Sequence, residues 1–134
     1  MPTTAFDDLL LAARRQSEPQ HLYLIFTVAE LPQDASAEQR SRFAERQGGA
    51  LTPVMAVDKS PEDLVDFCAL VDESAQTGQH WDMVFVTTQS VASKLPPDSQ
   101  QVEQTLTGLI ERIRTGQIDC FATFDRQGRL VHLR

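Results

Sequence analysis

A short apolar run, a turn and a capped helix pattern recur along this chain, and this alternation constrains its fold more than any other feature. Apolar runs typical of β-strands occupy residues 21–28, 51–57, 83–86 and 120–124. Each follows a segment that starts with a helix-capping residue and carries apolar positions at helical spacing. The alternation predicts helices layered on a sheet and argues against a helical bundle or a β-sandwich.

The predicted order of elements is α-β-α-β-α-β-α-β-β, in a single α/β (or α+β) domain that covers residues 1–134. Helical connections make the first strands parallel if they are neighbours, so we predict a mixed sheet of about five strands with helices packed on it. The first strand is apolar throughout and is predicted to be central, whereas Pro53 favours an edge position or a bulge for the second. The last two strands form a predicted C-terminal β-hairpin.

Four residues are predicted to start helices: Thr4, Ser36, Ser60 and Asp98. The pattern after Ser60 is the strongest, because a proline and two acidic residues follow the cap. A further helix is predicted over about residues 37–46, and it is polar on nearly every side. We expect that helix to be held loosely, because it offers little apolar surface to a core.

The charge of the chain limits its partners. Its net charge is −7 and its pI is about 4.8, which argues against nucleic acid as a partner, because that needs clustered basic residues. The first residues carry acids where a signal peptide would carry bases, and no apolar run is long enough to span a membrane. The sequence therefore predicts a cytoplasmic protein without membrane contact.

No catalytic or cofactor motif is present, and no histidine or cysteine pair has the spacing of metal ligands. We therefore expect no cofactor and no metal. Cys68 and Cys120 both fall within apolar patterns, so they are predicted to be buried, reduced and slow to react. His21, His80 and His132 stand at strand ends, where a surface position is expected rather than a catalytic one.

One candidate site follows from the expected topology. In open parallel sheets, ligands bind beyond the carboxyl ends of the strands. The polar residues at those ends would form a small ligand-binding site: Glu30, Asp58, Lys59, Thr87 and Thr88. The alternative is that these residues only serve turns and helix caps, which strand ends need in any case.

Two resemblances add expectations. Residues 124–131 resemble the hairpin common in the thioredoxin superfamily, which implies a thioredoxin-like architecture, although the Cys-x-x-Cys motif is missing. Six segments are similar to a group of small proteobacterial proteins labelled "ribonucleotide reductase subunit alpha": FDDLL (6–10), AELP (29–32), GGALTPVM (48–55), VDK (57–59), WDMVFV (81–86) and FDRQG (124–128). The chain is too short for the barrel of that catalytic subunit and has only two separated cysteines, so the residues do not support the label itself. The resemblance implies at most an association with that enzyme.

Three hypotheses for the function result. The first is a non-enzymatic cytosolic domain that acts through protein contacts, as a homodimer, because an unpaired sheet edge at the Pro53 strand or the final hairpin must be covered or paired. The second is a small-molecule-binding domain or enzyme with its polar site at the strand ends. The third is an accessory protein of ribonucleotide reductase.

Overall fold

The computed structural model describes residues 4–30, 36–38, 50–91 and 98–132. Its α-helices are α1 (Ala5–Arg14), α2 (Phe67–Ala75) and α3 (Ser99–Arg114), and a 3-10 turn covers Pro61–Asp63. The strands, in chain order, are β1 (Gln20–Glu30), β2 (Ala50–Lys59), β3 (Met83–Ser90), β4 (Ala122–Asp125) and β5 (Leu130–Val131). They form a five-stranded sheet in the order β2-β1-β3-β4-β5. The predicted layered fold with a C-terminal hairpin is confirmed.

The direction of the strands differs from the prediction. Every pair of neighbouring strands is antiparallel, so the expected parallel pairing of the first strands is wrong. Strands β2 and β3 do run in the same direction, because both are antiparallel to β1. They are not neighbours, however, since β1 lies between them. A helical connection also does not force parallel pairing, because β3 and β4 are joined by α3, lie side by side and are antiparallel.

Helices cover both faces of the sheet. On one face, α1 and α2 pack against alternate residues of β1 and β3, and this main core includes Phe6, Phe26 and Trp81. On the other face, α3 packs over a smaller core built on Ile25, Phe85 and Ile113. The prediction that β1 is central is confirmed, since its residues 21–27 are buried and contribute to both faces.

The proline in β2 has the surroundings that the sequence predicted. Strand β2 lies at an edge of the sheet, and its register with β1 shifts between Phe26, which pairs with Met55, and Thr27, which pairs with Pro53. Val54 is therefore the extra residue of a β-bulge. Both features tolerate a residue that has no backbone N–H to donate.

Two of the four predicted helix starts, those at Thr4 and Asp98, are confirmed. The Thr4 hydroxyl accepts from the backbone N–H of Asp7 in a capping box, and Asp98 accepts from that of Gln101. The start at Ser60 is wrong, because only the 3-10 turn follows it and α2 begins at Phe67 behind an Asp66 cap. The helix predicted over residues 37–46 lies outside the described residues except for its first two, which are helical.

The two cysteines correct a further prediction, because both side chains are exposed. Helix α2 buries Phe67, Leu70 and Ser74, and Cys68 lies about 100° away from Phe67 around the helix. Cys120 lies in the turn before β4, which starts two residues later than the apolar pattern predicted. Both thiols are thus accessible in the folded protein, and the expected slow reaction with thiol reagents has no basis in burial.

The helices also bear on the question of membranes. Within the part of the chain that the structure describes, no helix combines the length and the apolar character needed to cross a bilayer.

Candidate functional site

The antiparallel sheet separates the predicted site residues into two groups along the strands. Asp58 pairs with Tyr23 and Lys59 pairs with Leu22, near the start of β1. On the other side of β1, Thr87 and Thr88 pair with the same two residues. The fifth predicted residue, Glu30, pairs with Ala50 at the opposite end of the sheet. Four of the five residues therefore share one end, and Glu30 lies away from them.

The pleat of the strands divides these four residues again, because neighbours in a strand point to opposite faces. The Lys59 ammonium contacts the Glu73 carboxylate of α2 at 2.6 Å, on the face of the main core. Asp58 instead faces α3. Thr87 follows the face of Asp58, and Thr88 follows that of Lys59. Asp58 and Lys59 therefore lie on opposite faces of the sheet and make separate contacts, with His21 and with Glu73.

Asp58 lines an open groove of about 460 Å³ between β2 and α3. Aliphatic side chains supply much of its lining, and polar groups stand among them. The lining residues are Ala56, Asp58, Ser99, Val102, Glu103, Leu106, Thr107 and Ile110. Helix α3 buries fully only Ile113, near its C-terminal end, and its N-terminal half leaves the space that forms the groove.

A buried histidine stands beside the groove. His21 is 4% exposed, and its Nε2 lies 2.8 Å from Oδ2 of Asp58, which is itself partly exposed. The expectation that His21 is a surface residue is wrong, because β1 is central and its first residues are covered. His80 and His132 are exposed, as expected. The carboxylate, and not the imidazole, is the group that the groove presents to a ligand.

Tyr23 extends this polar cluster below the groove. Its ring lies 5.3 Å from the His21 ring, edge to face, and its hydroxyl donates to Oε1 of Gln89 at 3.1 Å. Burial raises the pKa of the Tyr23 phenol above its ordinary value, and the Asp58 charge adds to this rise. A side-chain hydrogen bond with Thr105 works in the other direction but does not cancel it. Tyr23 therefore stays neutral and acts as a hydrogen-bonding group.

Sequence reasoning missed His21, Tyr23 and the residues of α3. The signal for the first two was present in the strand pattern, since His21 and Tyr23 alternate with Leu22 and Leu24 in a strand that was predicted to be buried. A polar side chain in such a strand needs a partner. The partner, Asp58, depends on the register between β1 and β2, which the sequence does not reveal.

The arrangement of the described side chains also bears on whether the chain could hold a metal ion. Among the described residues, no group of three or more histidine, cysteine or acidic side chains is arranged to hold a metal ion. Comparison with protein-family models, curated proteins and solved structures finds no match. Association with ribonucleotide reductase therefore stays a prediction, and the groove has to be interpreted from its own geometry.

Proposed function

We propose that this chain is a cytosolic binding domain that holds a small molecule in the groove between β2 and α3. The observation that carries the proposal is the combination of size and lining. A groove of about 460 Å³ falls within the range of small-molecule sites, roughly 300–1,000 Å³. Such sites combine apolar walls with a few polar groups that orient the ligand, as the aliphatic residues and Asp58 do here.

The role we propose is binding and not catalysis. A general base must reach the proton that it removes, either directly or through one water. His21 is buried behind Asp58, and its Nε2 is already engaged with that carboxylate. The arrangement supports a fixed negative group in the wall of the groove, which serves recognition.

A screen of metabolites by thermal unfolding tests the proposal, with Val102→Trp as a variant that fills the groove. A ligand at about 100 times its Kd stabilises the folded protein by about 2.7 kcal/mol, which is several degrees in Tm. We expect at least one compound to raise the Tm of the wild type. The same compound should leave the Tm of Val102→Trp unchanged.

The matched control is Gln104→Trp, which adds the same side chain to an exposed position of α3 that does not line the groove. This variant should respond to ligand as the wild type does. A compound that stabilises Val102→Trp as strongly as Gln104→Trp binds elsewhere and contradicts the proposal.

A second candidate function is contact with another protein, and the position of β2 favours it. This strand is ten residues long, lies at the edge of the sheet, and has no described strand on its outer side. A long strand at the edge of a sheet can accept a further strand from another chain, whereas β5 at the other edge has only two residues. We propose a second copy of this chain as the partner.

Sedimentation over a range of protein concentrations, combined with amide hydrogen exchange, tests the dimer. We expect a monomer–dimer equilibrium, with amides of β2 becoming slower to exchange as the concentration rises. Amides of β1 are paired on both sides and provide the internal control, since their exchange should not depend on concentration. A protein that stays monomeric at the highest concentration would rule out this candidate.

A further inference from the structure

The charges in the groove identify the kind of ligand that fits it. Of its polar lining residues, Asp58 and Glu103 carry carboxylates, and Ser99 and Thr107 carry hydroxyls. None of the described residues that line the groove is basic. An anion placed there would face two like charges with no counterion from the lining. A cation with an apolar body would match both the carboxylates and the aliphatic walls.

Two positive groups near the groove could oppose the binding of a cation, and neither outweighs the carboxylates. The Lys59 ammonium lies on the other face of the sheet and is engaged with Glu73. The N-terminus of α3 is equivalent to roughly half a positive charge. The Asp98 carboxylate caps that terminus by accepting from the backbone N–H of Gln101 at 2.8 Å. Two full negative charges in the lining therefore dominate the potential that a ligand meets.

The length of the groove suits a ligand with an extended alkyl chain as well as a charged end. Its lining on α3 runs from Ser99 to Ile110, which corresponds to about 16 Å along the helix axis. Val102, Leu106 and Ile110 recur along this face at helical spacing. An extended alkyl chain could lie along them while its charged end contacts Asp58.

The buried histidine fixes the position of this carboxylate. Nε2 of His21 lies 2.8 Å from Oδ2 of Asp58, and the imidazole is buried beside the groove. The Asp58 carboxylate, which is partly exposed, is therefore held in the wall of the groove, where it can contact a cation.

We infer that the groove binds a singly charged amphipathic cation of the alkylammonium type, with Asp58 as its counterion. The inference rests on the proposed function of the groove and specifies its ligand class.

Three probes with the same chain and different head groups test the ligand class: hexylammonium, hexanol and hexanoate. We expect calorimetry near pH 8 to show that hexylammonium binds about ten-fold more tightly than hexanol, and hexanoate more weakly still. Asp58→Asn should remove most of this preference. Glu111→Gln provides the control, because it removes a charge from α3 at an exposed position outside the groove.

The outcomes separate the inference from the proposed function. Equal affinity for hexylammonium and hexanol, or a preference retained by Asp58→Asn, would each overturn the inference. Failure of all three probes to bind would overturn it as well. The proposed function is judged independently, by whether Val102→Trp abolishes the stabilisation found in the metabolite screen.

Discussion

Replacement of Phe6 by alanine is expected to lower the free energy of unfolding by roughly 3–5 kcal/mol. The Phe6 side chain is completely buried, and its ring contacts those of Phe67 and Phe124 at centroid distances of 5.2 and 5.3 Å. These three rings join α1, the start of α2 and β4 in the main core. Truncation would remove contacts to two other elements at once and leave a cavity that the sheet cannot close.

Chemical denaturation followed by circular dichroism measures this loss, and Leu11→Ala is the matched control. Leu11 lies on the same helix but is 43% exposed, so its truncation should cost less than about 1 kcal/mol. A typical domain has about 5–15 kcal/mol of stability in total, so the Phe6 variant should unfold at a clearly lower denaturant concentration. Equal midpoints for the two variants would show that α1 does not anchor the main core as described.

The sequence predicted the elements of this fold well because their signals are local. Capping residues, apolar spacing and turn-forming residues act over a few positions, and they placed α1, α3, β1 and the final hairpin correctly. The proline in β2 also carried correct information, since a residue without an N–H has few places in a sheet.

The strand directions were wrong because they depend on which strands become neighbours. The helix between β2 and β3 is consistent with a parallel pair, but β1 lies between the two strands and is antiparallel to both, and β4 is antiparallel to β3 although a helix joins them. Glu30 consequently lies at one end of the sheet, and Asp58 and Thr87 lie at the other. No local pattern distinguishes these two arrangements of the same elements.

The candidate site, like the fold, could be predicted only in part from the sequence. Asp58 was predicted from its place at the end of a strand, and it is the one predicted residue that lines the groove. Its partner His21 and the opposing Glu103 come from β1 and from α3, far away in the sequence. Cys68 shows how an error in the buried face of a helix arises, because that face follows Phe67, Leu70 and Ser74 and leaves this thiol exposed. Tertiary packing decides such details.

Replacement of Gly128 by alanine is the second change that we expect to have a large effect on stability, and the structure predicts that it destabilises the protein. This residue lies in the turn of the β4–β5 hairpin with a backbone φ of 78°, a value that residues other than glycine rarely adopt. A Cβ at this position would lie 2.7 Å from the Cβ of Thr4. Since Thr4 caps α1 and the Gly128 carbonyl accepts from the backbone N–H of Phe6, the added methyl group would disturb the start of α1 as well as the hairpin.

Gly128→Ala should therefore destabilise the protein by roughly 2–4 kcal/mol, from the strained backbone together with a weakened cap. Gly108→Ala makes the same chemical change in α3, where no neighbouring atom lies within 4 Å of the new Cβ. There alanine favours the helix and should stabilise the protein by about 0.5–1 kcal/mol. Unfolding midpoints of the two variants should move in opposite directions from the wild type. A shift of both in the same direction would mean that the hairpin does not approach the start of α1 in solution.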